Sequence, residues 1–219
     1  MATAIIRSVI SSGRIKAADI TVYDIKSDKY PAFAELGVNC ADSVEQAVAA
    51  SEVILLAVKP QDYETVLCGI KDAVAGQKKI FISIAAAIST SYICKTLGAD
   101  FPVVRVMPNT PLLIGCGATA ISRNTAVDDR LYTKICGLFA ASGSVVSLPE
   151  EQMNAVISVN SSSPAYVYLF AKAMIDNAVE QGIEHDVAKD LVFQTLKGSA
   201  EMLIHSKLDL DELIRMVAS

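Results

Sequence analysis

Residues 53–58 read Val-Ile-Leu-Leu-Ala-Val, a continuous apolar run between Glu52 and Lys59. A run of this length, with no polar residue at alternate positions, is typical of a strand buried on both faces of a parallel sheet. Two further apolar runs of strand length lie at residues 80–84 and 103–107. Together these runs predict the centre of a sheet whose two faces are both covered.

Helices are predicted between these strands. Segments 62–74 and 90–97 carry the helices that connect the three apolar runs. The same alternation continues on either side, with strands predicted at residues 19–23, 118–121 and 145–148 and helices at 29–36 and 128–141. Strands and helices alternating at this spacing predict an α/β fold with a Rossmann-like, doubly wound parallel sheet.

The last third of the chain carries only helix signals. The longest predicted helix begins at Ser163-Pro164, where serine suits the N-cap and proline the first helical position, and it stops at Gly182. Two more helices are predicted at residues 186–205 and from Asp209 onward. The pattern therefore predicts a second, all-helical part.

The composition favours a globular enzyme. Of the 219 residues, 52% are hydrophobic, which is enough to bury a substantial core, and the net charge is −5. No basic block stands out, so we expect no nucleic-acid partner. The most apolar run is too short to cross a bilayer, and the first residues lack the features of a signal peptide, so we expect no membrane association.

The cysteines are scattered and odd in number. No two of them form a C-x-x-C pair or have metal-ligand spacing, so we expect free thiols and no metal site. Free thiols suit a reducing compartment, which favours a cytoplasmic location. The five are Cys40, Cys68, Cys94, Cys116 and Cys136.

Six short segments carry a resemblance to a known family. They are Met-Ala-x-Ala-Ile-Ile at residues 1–6, Ala-Val-Lys-Pro at 57–60, Ser-Ile-Ala-Ala at 83–86, Met-Pro-Asn-Thr-Pro at 107–111, Ser-Ser-Pro-Ala-Tyr-Val at 162–167 and Gly-Ser-Ala-x-Met at 198–202. In this order and at these separations they resemble the pyrroline-5-carboxylate reductase family. The resemblance covers nearly the whole chain.

The resemblance implies an activity and a domain plan. Members of this family reduce the C=N bond of 1-pyrroline-5-carboxylate to L-proline with NADPH or NADH, the last step of proline biosynthesis. They associate through their helical domains, which implies a homodimer or a higher homo-oligomer. We therefore predict a dinucleotide-binding domain in residues 1–149 and a helical substrate and dimerisation domain in residues 150–219.

Candidate binding residues follow from the strand ends and the resemblance. In an open α/β sheet, ligands lie beyond the carboxyl ends of the strands, and a helix N-terminus favours phosphate. We expect the cofactor at Ala2, Asp24, Ile25, Lys26, Ala57, Val58, Lys59, Pro60, Ile84, Ala85 and Ala86, and the substrate at Asn109, Ser163 and Ser219. The family's catalytic threonine would follow Ser219, so no catalytic residue is assigned within the chain.

The choice between the two nicotinamide cofactors stays open. An acid after the second strand of a dinucleotide fold binds the ribose 2′-hydroxyl and favours NAD, whereas a nearby basic residue accommodates the 2′-phosphate of NADP. Asp24-Ile25-Lys26 offers both groups.

The two ends and two internal positions depart from the family pattern. The chain starts inside a helix, without the preceding strand and the first two motif glycines, and Ser219 matches only the first residue of a Ser-Pro-Gly-Gly-Thr-Thr loop. We therefore expect a fragment whose turnover is absent or severely impaired. Ala87 stands where the family usually has glycine, and Asn160-Ser161 replaces its usual Ser-Gly pair.

Two alternative functions fit the same pattern. One is a 3-hydroxyacid-dehydrogenase-like NAD(P) oxidoreductase, which needs a catalytic lysine or histidine on the helical part. Lys172 and Lys189 are available there but lie in no matching motif. The other is an inactive helical dimerisation fragment that binds no cofactor. A substrate panel of imines and hydroxyacids distinguishes the dehydrogenase from an imine reductase. A measurement of NADPH binding distinguishes the dimerisation fragment from either enzyme.

Overall fold

The structure, a computed structural model, describes residues 1–218 and has two compact units. The first comprises Met1–Pro164 and is called the α/β unit here, and the second comprises Ala165–Ser219 and is called the helical unit. In chain order the α/β unit contains α1 (Ala2–Ser11), β1 (Thr21–Val22), α2 (Tyr30–Ala34), β2 (Asn39–Cys40), α3 (Val44–Ala49), β3 (Val53–Leu56), α4 (Tyr63–Val74), β4 (Ile80–Ser83), α5 (Thr90–Leu97), β5 (Val103–Met107), β6 (Gly117–Arg123), α6 (Asp129–Ala140) and β7 (Gly143–Ser147).

The main sheet has five strands in the order β3-β4-β5-β6-β7. β3, β4 and β5 are parallel, β6 runs antiparallel to β5, and β7 is parallel to β6. β1 and β2 form a separate parallel pair. The parallel-dominated α/β class is therefore confirmed, with a single reversal of direction at β6.

Both faces of the sheet are covered, as the apolar runs predicted. Every residue of β5 is buried. Val103 packs with α4 and α5 on one face, and its neighbour Val104 packs with α1 and α6 on the other. Successive residues of a strand point to opposite faces, so a strand covered on both sides must be apolar throughout.

Helix α1 spans the two sheets. Ile5 and Val9 pack in the cluster that covers the five-stranded sheet, whereas Ile6 packs with Val22 and Val38 beside the β1–β2 pair. One amphipathic helix therefore holds the two-stranded sheet beside the main one.

Capping residues explain the bounds of α5, which agree with the helix predicted at residues 90–97. α5 begins after Ser89, whose side chain accepts the N–H of Tyr92, and it ends at Gly98, which has a φ of 81°. Serine satisfies a free N–H of the first turn, and glycine adopts the left-handed conformation at no steric cost. Strand boundaries were predicted less well, since the strand expected at residues 19–23 is limited to the two residues of β1.

The described part of the helical unit contains most of the long helix α7 and two further helices. α7 (Ser163–Glu180) begins at the end of the α/β unit, and α8 (His185–His205) and α9 (Leu210–Ala218) follow. Two residues from α7 pack against two from α8 in a small core of Ala171, Ile175, Ala188 and Val192. Among residues 1–218, no helix has both the length and the apolar character needed to cross a membrane.

The predicted N-cap at Ser163 is wrong. A five-residue π-helix at Ile157–Ser161 runs almost directly into α7, so the chain is already helical when it reaches this serine. The Oγ atom of Ser163 donates to the carbonyls of Ser158 and Val159, at 2.8 and 2.6 Å, instead of accepting a free N–H. Serine in the body of a helix commonly bonds back to the preceding turn.

Candidate functional site

The carboxyl ends of three parallel strands lie at one edge of the main sheet. Leu56 at the end of β3 pairs with Ser83 at the end of β4, and Ser83 pairs with Arg105 of β5. The N–H of Ile84 donates to the carbonyl of Leu56 at 3.3 Å. The segments that follow these strands therefore meet at one place, called the strand-end edge here.

The segment after β3 is exposed at the strand-end edge. It consists of Ala57, Val58, Lys59 and Pro60, and its lysine directly precedes a short 3-10 helix at Pro60–Asp62. Within residues 1–218, the Lys59 ammonium makes no hydrogen bond or ion pair. An exposed and unpaired cation at this edge is suited to an anionic ligand.

The segment after β4 lies partly in the core. Ala85 is buried against the cluster under α4 and α5, while Ala86 packs beside Met107 of β5. Ala87, which follows, has a φ of 63°. The left-handed region costs an alanine about 1 kcal/mol, so the surrounding structure imposes this conformation. Backbone groups, more than side chains, are what this segment offers to a ligand.

A buried hydroxyl pair supports the ends of β3 and β4. The hydroxyl of Tyr63 on α4 donates to the carbonyl of Leu56 at 2.9 Å and lies 2.8 Å from the hydroxyl of Ser83. Burial raises the pKa of Tyr63 to about 12, although Ser83 and the nearby charge of Arg105 act in the opposite direction. The phenol is therefore neutral at physiological pH.

A buried ionic network lies on the same face of the sheet. Arg105 is only 3% exposed, and its guanidinium reaches Glu150 at 3.5 Å and Asn154 at 2.8 Å. The Glu150 carboxylate also accepts the N–H and the hydroxyl of Thr90, at 2.7 and 2.6 Å, where α5 begins. Within residues 1–218, the buried Nε of Arg105 has no partner. The network ties the chain after β7 to the helix that follows the Ile84–Ala86 segment.

Asp24 is held in a fixed position just after β1. Its carboxylate accepts the Lys29 ammonium at 2.6 Å and the backbone N–H of Lys26 at 2.9 Å. Desolvation alone raises the pKa of Asp24, but these two bonds outweigh it and the pKa lies below its usual value. Ile25 is 85% exposed. The Lys26 ammonium forms no direct ion pair within residues 1–218, but its charge also helps to lower the pKa of Asp24.

The first turn of α1 leaves amide groups free. Met1 provides no side-chain cap, and the first N–H groups bonded within the helix are those of Ala4 and Ile5, which donate to the Met1 carbonyl. Among the described residues, the N–H groups of Ala2 and Thr3 therefore have no partner. Ile5 packs in one cluster with Leu112, which follows the carboxyl end of β5, so this helix end lies near the strand-end edge.

Asn109 lies at the carboxyl end of β5 and is 8% exposed. Its Oδ1 accepts the N–H of Ala118 at 2.9 Å, and its Nδ2 donates to the carbonyl of Asn160 at 3.2 Å. Asn160 returns the contact through Nδ2, which donates to the carbonyls of Met107 and Ala118 at 2.8 and 2.9 Å. Two buried carboxamides thus join β5, β6 and the π-helix.

The predicted site residues fall into three groups in the structure. Ala57–Pro60, Ile84–Ala86 and Asn109 follow adjacent strands at the strand-end edge, and Ala2 begins the helix beside it. Asp24, Ile25 and Lys26 follow β1, which lies outside the main sheet but is joined to it through α1. Ser163 lies at the start of α7, and Ser219 lies outside the described residues.

Sequence reasoning missed two functional candidates. Arg105 interrupts the apolar run Val-Val-Arg-Val-Met of β5. A charged side chain in a strand that is buried on both faces needs a partner, so this arginine could have been identified from the sequence. Asn160 was noticed only as a departure from a motif. Its partners lie more than 40 positions earlier in the chain, so no local pattern identifies them.

Comparison with known proteins identifies both parts of the chain. A family model described as pyrroline-5-carboxylate reductase dimerisation matches residues 150–219. A second, described as NADP oxidoreductase coenzyme F420-dependent, matches residues 1–87. The pyrroline-5-carboxylate reductase of Mycobacterium tuberculosis is 34% identical over 206 residues, which are 92% of this chain and 70% of that protein.

Solved structures give the same result over nearly the whole chain. A pyrroline-5-carboxylate reductase from Coxiella burnetii superposes with a TM-score of 0.89 at 30% identity, covering 100% of this chain and 81% of that one. The Plasmodium falciparum pyrroline carboxylate reductase with NADP bound gives 0.90 at 28% identity, covering 99% and 80%. The sequence likeness, the shared fold and the matched dimerisation model agree, and the chain belongs to the pyrroline-5-carboxylate reductase family.

Proposed function

We propose that this protein reduces the C=N bond of 1-pyrroline-5-carboxylate to L-proline with NADPH or NADH, as the last step of proline biosynthesis. The observation that carries the proposal is the meeting of the ends of β3, β4 and β5 at one edge, with the segments 57–60, 84–86 and 107–111 following them. The pyrroline-5-carboxylate reductases of Coxiella burnetii and Plasmodium falciparum share the fold over nearly the whole of this chain, which supports the proposal.

The residues at the strand-end edge fit a dinucleotide. The free N–H groups of Ala2 and Thr3 and the unpaired ammonium of Lys59 suit a diphosphate, since helix N-termini and lysines both attract phosphate. The bound cofactor supplies a hydride to the ring carbon of the imine. We assign cofactor binding to Ala2, to residues 24–26, and to the segments 57–60 and 84–86.

The protein's own contribution is placement. The backbone after β4, partly buried and held in a fixed conformation at Ala87, offers a rigid surface for a flat ring. Asn109 and Ser163 lie on segments that we assign to the substrate side. A reaction of this type needs the ring carbon held at near-attack distance and water kept away, and rigid strand ends provide both more readily than a mobile loop.

The arrangement at Asp24 favours NADPH. The carboxylate that would bind a ribose 2′-hydroxyl already accepts Lys29 and the N–H of Lys26. The Lys26 ammonium, which forms no direct ion pair within the described residues, is the group that suits a 2′-phosphate. The exposed Ile25 side chain offers an apolar contact for a base.

The helical part forms the association surface in this proposal. Five consecutive residues of α7 are exposed and apolar, namely Tyr166, Val167, Tyr168, Leu169 and Phe170. Consecutive residues point around the whole helix, and a monomer rarely leaves so large an apolar surface open to water. We infer a homo-oligomer and keep the domain division at residues 149 and 150, where the matched dimerisation model begins.

The five free thiols also support a cytoplasmic location.

The test combines cofactor binding with a substrate panel. We expect NADPH to bind saturably, and a change in nicotinamide fluorescence measures this binding. We also expect the protein to oxidise NADPH only when 1-pyrroline-5-carboxylate is present. No oxidation of 3-hydroxyacids with NAD or NADP is expected. NADPH binding without turnover of any imine, or turnover of hydroxyacids instead of imines, would overturn the proposal.

A further inference from the structure

The side chain of Asn160, in the π-helix, uses three of its four hydrogen-bonding positions. Both protons of its Nδ2 are donated, to the carbonyls of Met107 and Ala118, and its Oδ1 accepts the hydroxyl of Ser161 at 2.9 Å. The residue is 9% exposed. A buried carboxamide with this many short bonds restricts the position of every segment that it contacts.

Asn109 completes a reciprocal pair. Its Nδ2 donates to the main-chain carbonyl of Asn160, and its Oδ1 accepts the N–H of Ala118. Ala118 is therefore held from both sides, because its carbonyl accepts Asn160 and its N–H donates to Asn109. We call Asn109 and Asn160 together the amide clamp.

The clamp joins three segments of the α/β unit at the strand-end edge. Met107 ends β5, Ala118 lies at the start of β6, and Asn160 lies in the π-helix at Ile157–Ser161. A π-helical turn is intrinsically less stable than an α-helical one and often marks a functional site. The clamp therefore holds an unfavourable turn against the end of the strand.

From this geometry we propose that Asn160 is a positioning residue for the imine substrate. It fixes the π-helix, and with it Ser163 at the start of α7, against the carboxyl end of β5. The inference rests on the proposed function, because the segments that it positions are those assigned to the substrate. It adds a residue that makes no hydrogen bond to the cofactor segments 24–26, 57–60 and 84–86, although its partner Met107 packs beside Ala86.

The chemistry of the clamp requires a donor at position 160. Asn160→Asp keeps the size of the side chain but replaces the Nδ2 donor with an oxygen, which faces two carbonyl oxygens. The turn must then move away from β5. Displacements of about 1 Å in a positioning element can reduce turnover about 100-fold.

A matched control exists at the opposite end of β5. Asn124 donates through Nδ2 to the carbonyl of Phe101 at 2.8 Å and accepts the N–H of Val103 at 3.1 Å through Oδ1. Asn124→Asp removes the same kind of donor from a residue that follows β6 and bonds to the other end of β5. It lies at the amino end of β5, away from the strand-end edge, and should destabilise the sheet without moving the substrate segments.

The experiment measures KM and kcat for 1-pyrroline-5-carboxylate and the Kd for NADPH in the wild type and both variants. For Asn160→Asp we expect kcat/KM for the imine to fall about 10-fold to 100-fold, while the Kd for NADPH changes by less than about threefold. For Asn124→Asp we expect both quantities to stay within about twofold of the wild type. Should Asn160→Asp fail to fold, Asn160→Ser keeps a shorter donor and should give a smaller loss of the same kind.

Two results separate the inference from the function beneath it. A wild-type protein that reduces the imine, with an Asn160 variant that behaves like Asn124→Asp, would overturn the positioning role alone. A wild-type protein that never reduces the imine would overturn the proposed function and this inference together.

Discussion

The hydroxyl of Tyr63 lies 2.8 Å from that of Ser83, and both are fully buried under the ends of β3 and β4. Because Tyr63 donates to the carbonyl of Leu56, the serine hydroxyl is the group that donates to the phenol oxygen. A single side chain of α4 thus holds two neighbouring strands where their carboxyl ends leave the sheet.

Removing this hydroxyl should destabilise the α/β unit. Tyr63→Phe leaves the Ser83 hydroxyl without its acceptor and the Leu56 carbonyl with only the N–H of Ile84, which costs about 1 to 2 kcal/mol. The free energy of unfolding, measured by denaturant titration, should fall by that amount. Tyr92→Phe, at an exposed phenol on α5, is the control and should change it by less than about 0.5 kcal/mol. Equal unfolding midpoints for the two variants would contradict the role of Tyr63.

The same phenol should make stability depend on alkaline pH. Its pKa is raised to about 12 in the folded protein and lies near the ordinary value of 10.0 when the chain is unfolded. A group whose folded pKa is raised contributes its full stability below the unfolded pKa and loses it as the pH rises through the folded pKa. Between pH 10 and about 12, the free energy of unfolding should therefore fall by about 1 to 3 kcal/mol more in the wild type than in Tyr63→Phe. Parallel pH profiles for the two proteins would rule out this contribution.

The Arg105 network should show strong coupling between its members. Glu150→Ala removes the carboxylate from a buried guanidinium and should cost about 2 to 3 kcal/mol, less than for a fully buried pair because Glu150 is 27% exposed. Adding Arg105→Met should recover part of the loss, since the unpaired charge is then gone. Glu151→Ala is the exposed neighbouring control. Additive losses in the double variant, measured by denaturant unfolding, would show that the pair is not coupled.

Lys26 should discriminate between the two nicotinamide cofactors. Lys26→Ala removes the free ammonium near the expected 2′-phosphate, and the Kd for NADPH should rise about threefold to fivefold while the Kd for NADH stays the same. Lys95→Ala, an exposed lysine at the end of α5, should alter neither value. Fluorescence titration with both cofactors gives the comparison, and equal weakening of NADPH and NADH would show that Lys26 does not read the phosphate.

The exposed apolar surface of α7 should be required for association. Phe170 is 61% exposed, and Phe170→Asp places a charge in the middle of that surface. Sedimentation velocity should show a smaller species than the wild type, because a buried unpaired charge is costly at an interface. Asn177→Asp adds a charge on the same helix and keeps the Oδ1 that accepts from Gln181, so its sedimentation should match the wild type.

Element types and the fold class could be read from the sequence because their causes are local. The bounds of α5 and β5 agree with the predicted residues 90–97 and 103–107. A serine cap, a terminal glycine and an unbroken apolar run act within a few residues of the element that they define. Motif order along the chain likewise needed no structure to indicate the family.

Other features depended on partners that are distant in the sequence. β1 is shorter than the strand expected at residues 19–23 because it pairs only with the two residues of β2, which no pattern predicted. The antiparallel direction of β6 follows from how the chain returns after the strand-end edge, and nothing in its own residues encodes that direction.

The sequence by itself determined that this protein is an α/β chain with a helical part, and that its small-residue segments follow buried strands. The tertiary structure alone decided that Asn160 reaches Met107 and Ala118, that Arg105 meets Glu150, and that Ser163 bonds backward instead of capping its helix. The physical reason is range, since caps and apolar periodicity act over one or two turns. A buried polar side chain is satisfied by whichever donors and acceptors the fold brings to it.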